Sequence, residues 1–310
     1  MFGLPGTLKA KLMAPGILRA PELIRLLEAV VEGYQSEVPT IQSVILFGGI
    51  TLGEFHPRFS DVDLAVVFEG EVSELVSRLP EAVRTAIHRI RFCPEAHVRA
   101  KHVGSNVLNA MKDQDWQTWA AWSADNLVTE SSYPFTLCDT WLIHNRALTL
   151  SGSCAKNRFP FVNAPPTHRD VELAKLKRLA NRLARPRPFG GLSGMELAAE
   201  FIYYGTDLTR AIYTLRTGGV IGRVASTKWY QRLFGGTTGE YAQLMGQCRC
   251  NPERSDLSRI SDSEALWILF LHYAREALCF AVPGVAVPRS LPGQDEFGSW
   301  LETWITSQST

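Results

Sequence analysis

Two aspartates one residue apart, Asp61 and Asp63, are the side chains in this sequence best suited to chemistry. They stand just before the apolar run LAVVF, a composition typical of a buried strand. Residues i and i+2 of a strand point to the same face, so the two carboxylates would lie side by side. Like charges at that separation repel each other unless a cation lies between them. The spacing therefore predicts a bound cation at this end of the strand.

A pair of glycines, Gly48 and Gly49, follows the apolar run SVILF and precedes Asp61 by eleven intervening residues. Glycine lets the backbone approach a phosphate closely, and a helix start presents free N–H groups and a positive dipole end. We expect a strand that ends at the glycines and a helix that opens there. Two carboxylates on the adjacent strand would bind Mg²⁺ beside a triphosphate. The alternative is a glycine turn followed by an exposed acidic turn.

The elements around these residues alternate helices with strands. Residues 21–35 have the apolar spacing of a helix, and residues 72–90 have it too, with a break at Pro80. SVILFGG and DLAVVF are predicted strands, and residues 96–103 are a candidate third strand. The first 105 residues therefore alternate helices and strands, which is an α/β pattern.

The second half of the chain has a different pattern. Residues 111–150 are predicted to be helical, and residues 151–166, rich in Gly, Ser and Pro, are predicted to be a linker. Beyond them the pattern is almost wholly helical, with a buried helix at 264–280 and a surface tail after 281. The sequence thus predicts an α+β protein with a first domain over 1–150 and an all-helical bundle over 160–310.

Composition favours a soluble, cytoplasmic protein. The 310 residues are 45% hydrophobic and 20% charged, and the net charge of +1 gives no global electrostatic reason to expect nucleic acid or membrane as a partner. We see no signal peptide and no apolar stretch long enough to span a membrane. The six cysteines are scattered, which favours reduced thiols, and the C-x-C pair Cys248 and Cys250 is a weak metal signal.

The segment FGG at 47–49, eleven residues, and DVDL at 61–64 together resemble the signature of a known superfamily. That superfamily is the nucleotidyltransferases with a DNA polymerase β-like catalytic core. Its signature is an apolar residue, Gly, Gly or Ser, nine to thirteen residues, and then Asp-x-Asp or Asp-x-Glu flanked by apolar residues. The resemblance implies that residues 1–150 are the catalytic domain, a mixed sheet flanked by helices. It also implies Mg²⁺ on Asp61 and Asp63 and nucleotide phosphates at Gly48 and Gly49.

Two further segments resemble one branch of that superfamily, the streptomycin/spectinomycin adenylyltransferases. They are ALTLSGSCAK at 147–156 and LTRAIYTLRTGGVIGRVASTKW at 208–229. The resemblance implies transfer of AMP from ATP to a hydroxyl of an aminoglycoside, with pyrophosphate released. It also implies contacts from Arg210 and Lys228 to the triphosphate. The alternative is that Arg210 is a surface residue and that Lys228 lies in a C-terminal turn.

A third carboxylate acts as general base in that family, at the start of a third strand. The candidate here is Glu95, which precedes AHVRAKHV, and His97 is an alternative base. The match is imperfect because Arg99, Lys101 and His102 stand in the strand where apolar residues are usual. Glu95 could also be a solvated charge in a turn.

The family holds its cationic substrate with helical-domain acids and a tryptophan. The acids fall on Glu196 and Glu200, which are neighbours on a helix face. Glu196 could instead complete a capping box with Ser193. The tryptophan falls on Trp116 or Trp119, for which core packing is the alternative.

Gly49 departs from the branch, in which Ser is common at that position. A second hypothesis keeps the chemistry and makes tRNA or a protein the acceptor, because four cations recur at helical spacing on one face: Lys175, Arg178, Arg182 and Arg185. A solvated helix face is the usual explanation of such a pattern. A third hypothesis is a catalytically silent nucleotide-binding protein. The sequence leaves the oligomeric state open.

Overall fold

The structure is a computed structural model that describes residues 3–57, 59–70, 98–114, 118–119, 123, 135–162, 192, 194–251 and 272. The chain divides into two compact units, Met1–Asn163 and Ala164–Thr310. The functional division into residues 1–150 and 160–310 stays a prediction.

The described part of the first unit contains four helices, four strands and two short 3₁₀ turns. The helices are α1 (Gly6–Leu12), α2 (Ala20–Glu37), α3 (Ser105–Met111) and α4 (Leu137–Arg146). The strands are β1 (Ile41–Phe47), β2 (Val62–Phe68), β3 (Val98–Gly104) and β4 (Leu148–Gly152). The 3₁₀ turns are Gly49–Leu52 and Lys156–Arg158.

The described strands form one mixed sheet in the order β3-β2-β1-β4. Strand β1 is antiparallel to both β2 and β4, whereas β2 and β3 are parallel. Valine, isoleucine and phenylalanine dominate β1 and β2, and these residues favour extended backbone with both faces packed. The mixed sheet with flanking helices confirms the predicted α+β fold class.

Each face of the sheet has its own hydrophobic core. Helices α1 and α2 cover one face, where Leu23, Leu27 and Tyr34 pack with Leu46 and Leu64. The other face carries a second cluster of buried side chains that includes Ile45, Phe47, Ala65, Val67, Trp119 and Phe135. Because side chains alternate along a strand, Asp61 and Asp63 belong to the second face together with Ala65 and Val67.

The described part of the second unit is helical, as the sequence predicts. It consists of α5 (Gly194–Thr217), α6 (Arg223–Phe234) and α7 (Gly236–Cys250). A Cβ on Gly246 would meet the Thr227 hydroxyl, so this glycine allows α6 and α7 to approach closely. A buried hydrogen bond of 3.0 Å between the Thr209 and Ser226 hydroxyls joins α5 to α6.

Two predictions about local structure need correction. Residues 148–150 are predicted to be helical and residues 151–152 to belong to the linker, but together they form β4 and pair with β1, because an edge of β1 is available to a segment as short as LTLSG. The predicted linker accordingly begins inside β4 and continues into the 3₁₀ turn Lys156–Arg158. The helices predicted at 72–90 and 264–280 and the tail after 281 lie outside the described residues.

In the part of the chain that the structure describes, no helix combines the length and apolar character that a membrane crossing requires.

Candidate functional site

The glycine pair lies where β1 ends, directly against the acidic pair. Gly48 has φ of 80°, a backbone conformation that L side chains rarely adopt. A Cβ at this position would also collide with the Asp63 carboxylate oxygen Oδ2. Glycine is therefore required twice over at position 48, once for its backbone angle and once for the close approach to Asp63.

The prediction that a helix opens at Gly49 is wrong. In its place the chain makes a 3₁₀ turn of four residues, Gly49–Leu52, which ends at Gly53 in the left-handed conformation. The Thr51 hydroxyl donates to the Gly48 carbonyl at 2.8 Å, and the amide of Glu54 donates to the Gly49 carbonyl at 3.1 Å. One short turn lacks the dipole of a full helix, so the acids and basic side chains carry the electrostatics of this site.

The acidic pair lies at the start of β2, between two neighbouring strands. Asp63 is aligned with Phe47 of antiparallel β1 and with Arg99 of parallel β3. Residues abreast in a parallel pair share a face, so Arg99 and Lys101 lie on the same face as the two acids. The prediction that both carboxylates occupy one face of a strand end agrees with this register.

Two ion pairs link this face to its surroundings. Arg99 Nη2 lies 3.1 Å from Asp61 Oδ2, and Lys101 Nζ lies 2.6 Å from Asp139 Oδ2. Lys101 is largely buried and lies over the Phe135 ring, 5.0 Å from its centroid. The sequence predicts no role for Arg99 or Lys101. The Lys101 pair in particular has no local signal, because its partner Asp139 is 38 positions away.

Asp139 has a second function that fixes its position. It completes a capping box at the start of α4, in which its amide donates to Thr136 Oγ1 and its carboxylate accepts from the Thr136 amide. Such boxes satisfy backbone donors that a helix start leaves open. Asp139 is therefore a rigid anchor for Lys101.

The pKa of the Asp63 carboxyl is raised to about 7, first by burial, then by the negative charge of Asp139 and then by that of Asp61. Lys101 and Arg99 oppose this rise but do not cancel it. The carboxylate form of Asp63 is thus short of positive charge, which a divalent cation would supply.

The donor set fits Mg²⁺. Both candidate ligands offer carboxylate oxygens, which hard cations prefer, and they stand on one face at a strand end. Within the described ranges, no three His, Cys, Asp or Glu residues are grouped so that they could hold a metal ion. Two protein carboxylates, completed by water and substrate phosphate, are the usual way in which proteins bind Mg²⁺.

The second unit contains a cluster of the opposite sign. The Asp207 oxygen Oδ1 accepts a hydrogen bond from Arg210 Nη2 at 2.6 Å and one from Arg223 Nε at 3.2 Å. The Arg223 guanidinium also lies over the Tyr203 ring, 4.8 Å from its centroid. One carboxylate therefore holds two guanidinium groups in place.

Lys228 is not at the helix start where the resemblance requires a cation. Helix α6 begins at Arg223, and Lys228 is an exposed residue of its second turn. Arg223 is the helix-start cation, and sequence reasoning missed it. The signal was present, because Gly222 directly before it is the N-cap of α6.

The predicted acceptor residues have different environments. Glu196 is exposed and Glu200 is half-buried, both in the first two turns of α5. Trp119 is fully buried, stacks on Phe135 and donates from Nε1 to Thr140 Oγ1 at 3.1 Å. Trp119 is therefore a core residue with no ring face open to a substrate, which corrects its assignment as a stacking partner.

Several predicted residues lie outside the described part of the chain. They are Glu95, His97, Trp116, Ser193 and the basic residues Lys175, Arg178, Arg182 and Arg185. Within the described part of β3, the residue abreast of Asp63 is Arg99, a cation.

Residues 24–113 match the family model described as the nucleotidyltransferase domain. This stretch contains the glycine pair and both candidate metal ligands. The resemblance of this stretch to the nucleotidyltransferase superfamily is thereby confirmed.

Among solved structures, the chain is similar to the spectinomycin adenyltransferase AAD(9) from Enterococcus faecialis, solved with ATP and spectinomycin. The identity is 10%, the likeness covers 92% of this chain and 98% of that one, and the TM-score is 0.45. Values this low do not establish a common substrate. No curated protein matches the chain.

Proposed function

We propose that this chain, whose residues 24–113 form a nucleotidyltransferase domain, transfers AMP from ATP to a hydroxyl of an aminoglycoside and releases pyrophosphate. The observation that carries the proposal is the pair Asp61 and Asp63 on one sheet face, against a glycine that has no room for a side chain. The choice of AMP and of an aminoglycoside rests on the resemblance of residues 147–156 and 208–229.

Asp61 and Asp63 are the residues that would hold Mg²⁺. When bound, the ion neutralises phosphate charge and polarises the phosphorus under attack. Gly48 leaves room beside β1 for the carboxylate of Asp63, because a Cβ at this position would collide with its Oδ2. Lys101, anchored by Asp139, keeps positive charge beside Asp63 and moderates the repulsion between the acids.

The reaction is an in-line displacement at the α-phosphorus. The acceptor oxygen forms a bond to that phosphorus while the bond to the bridging oxygen breaks, and pyrophosphate leaves with the electron pair. The hydroxyl proton passes to a general base, for which Glu95 is the proposed residue.

Arg210 and Arg223 are the proposed ligands of the triphosphate from the second unit. Guanidinium groups form bidentate bonds to phosphate, and Asp207 pre-orients both groups. In this proposal Arg223 replaces Lys228, which is exposed.

Glu196 and Glu200 are the proposed acceptor ligands. Like charges at i and i+4 weaken a helix unless a cation lies between them, and an aminoglycoside supplies amino groups for that position. Trp116 is the remaining candidate for stacking on the acceptor. The proposal also places the chain in the cytoplasm, where ATP is available and an exposed free thiol such as Cys154 stays reduced.

The test is pyrophosphate release from Mg-ATP in the presence of single aminoglycosides, with total tRNA in a parallel reaction and Asp63→Asn as the control. Release that requires streptomycin or spectinomycin and is lost in the control is the expected result. Release that requires tRNA would replace the small-molecule acceptor by a nucleic acid.

A specific observation favours a second candidate, a nucleotide-binding protein without turnover. In the described part of β3, the first two residues on the face shared with Asp63, Arg99 and Lys101, are cations, whereas the family resemblance expects a carboxylate at the start of this strand. ATP binding without pyrophosphate release in any reaction would support this candidate against the enzyme.

A further inference from the structure

Arg99 lies in a position that the proposed reaction does not explain. It stands abreast of Asp63 in the parallel register and pairs through Nη2 with Asp61 Oδ2 at 3.1 Å. Its side chain is 48% exposed and that of Asp61 is 29% exposed, so the pair lies at the open edge of the site. Arg99 therefore pairs with Asp61, which the proposed function assigns to the metal as a ligand.

Arg99 and a divalent ion compete for Asp61. The attraction of a carboxylate to an ion of charge +2 is twice its attraction to a guanidinium at equal distance, and an exposed ion pair contributes little to stability. The pair is thus weak enough to be exchanged when the site is filled. The backbone of Arg99 stays fixed in β3, so its guanidinium remains within one side chain's length of the acids.

A nucleotide supplies the new partner. Its phosphate groups carry the negative charge that Asp61 no longer offers, and the planar fork of arginine fits phosphate oxygens. Lys101, on the same face, cannot exchange in this way because it is largely buried and held by Asp139.

We propose that Arg99 is an exchanging ligand, which pairs with Asp61 in the empty site and with a nucleotide phosphate in the filled site. The inference rests on the proposed function, because it requires a metal and a nucleotide at Asp61 and Asp63. It makes Arg99 a nucleotide-binding residue and, at the same time, a competitor of the metal.

The experiment measures two affinities in four proteins. Mn²⁺ is titrated without nucleotide by electron paramagnetic resonance, and an ATP analogue with a methylene bridge between the α- and β-phosphates is titrated with Mg²⁺ present by calorimetry. The proteins are wild type, Arg99→Met, Arg99→Lys and Arg19→Met. Arg19 is the matched control because its pair with Glu22 also measures 3.1 Å, with side chains 45% and 29% exposed.

The expected changes have opposite signs. Arg99→Met keeps most of the stem and removes the charge, so Mn²⁺ binding should strengthen about three- to tenfold, and binding of the analogue should weaken about tenfold. Arg99→Lys keeps the charge without the fork, so Mn²⁺ binding should stay near wild type and binding of the analogue should weaken less. Arg19→Met should change neither affinity.

A purely structural role of Arg99 would move both affinities in the same direction, and that result would overturn the inference. An unchanged Mn²⁺ affinity or an unchanged analogue affinity in Arg99→Met would overturn it as well, while leaving the proposed function standing. Wild-type protein that binds neither probe would overturn both. Thermal unfolding of each variant establishes that the comparison is made between folded proteins.

Discussion

The two units carry charge clusters of opposite sign. In the first unit, Asp61, Asp63 and Asp139 lie around Arg99 and Lys101, so acids outnumber bases among the described residues of this cluster. In the second unit, Asp207 holds Arg210 and Arg223, so bases outnumber the acid. An acidic excess suits a divalent cation, and an excess of guanidinium suits phosphate. The comparison teaches that the first cluster has the charge to bind a divalent cation and that the second has the charge to bind phosphate.

The largest effect is expected when the acidic cluster is broken. Asp63→Asn removes a candidate metal ligand, and we expect nucleotide transfer to fall by on the order of 10³-fold, since metal stabilisation of the transition state is worth several kcal/mol. Steady-state pyrophosphate release measures this effect. An active Asp63→Asn protein would contradict the assignment of the acids.

The cost of the acidic cluster in the metal-free protein is measured by the stability of the same Asp63→Asn variant. Burial and two like charges disfavour the Asp63 carboxylate, so Asn should raise the free energy of unfolding of the metal-free protein by about 1–3 kcal/mol. Urea unfolding without divalent ions measures the change. A less stable Asp63→Asn protein would mean that Asp63 contributes to packing or hydrogen bonding more than it costs in charge.

The basic cluster is tested by a matched pair of variants on α6. Arg223→Ala should raise KM for ATP about tenfold or more, the cost of one charged hydrogen-bonding group. Lys228→Ala, which removes an exposed cation one turn further along, should change KM less than twofold. An equal rise in KM for ATP in both variants would mean that Arg223 contributes no more to nucleotide binding than the exposed Lys228.

A smaller effect on turnover is expected at the proposed acceptor site. Glu200→Gln should raise KM for the aminoglycoside about five- to tenfold and leave KM for ATP unchanged, because it removes one partly screened charge from the acceptor. Steady-state kinetics with each substrate varied in turn separates the two constants. A rise in KM for ATP instead would assign Glu200 to the nucleotide.

His102 on the opposite sheet face belongs to neither cluster and should leave turnover unchanged. Its Nε2 shares a buried 2.9 Å hydrogen bond with Tyr34 Oη, and burial lowers its pKa to about 4. The unfolded chain takes up this proton near pH 6.5, so stability present above that pH is lost as pH falls toward 4, by about 3 kcal/mol in all. His102→Gln should flatten that loss in urea unfolding curves measured between pH 7 and 4. A loss of stability between pH 7 and 4 that is as steep in His102→Gln as in wild type would mean that other titratable groups cause it.

The strands β1 and β2 and the shared face of the acids could be predicted because local patterns determine them. Two apolar runs define the strands, and the i, i+2 spacing defines the face. The sequence predicts that Gly48 lies in a turn. It does not predict the close approach of Gly48 to Asp63, because these two residues are fifteen positions apart.

The missed features depend on partners that the local sequence does not show. β4 exists because β1 offers it an edge, and the Lys101–Asp139 pair joins a strand to a helix cap. Trp119 is a tryptophan, a residue type that can stack on a substrate, but it is fully buried in the core. Sequence spacing alone does not distinguish a stacking tryptophan from a core tryptophan. The resemblance places its helix-start cation at Lys228, whereas α6 begins five residues earlier, at Arg223.

The most direct test follows the two ends of the nucleotide separately. ATP labelled at the α-phosphate and ATP labelled at the γ-phosphate are incubated in parallel with Mg²⁺, the protein and streptomycin or spectinomycin. We predict that the α-label appears on the acceptor while the γ-label leaves as pyrophosphate, and that both transfers disappear in Asp63→Asn. A γ-label on the acceptor, or release of orthophosphate in place of pyrophosphate, would contradict nucleotidyl transfer at the Asp61–Asp63 site.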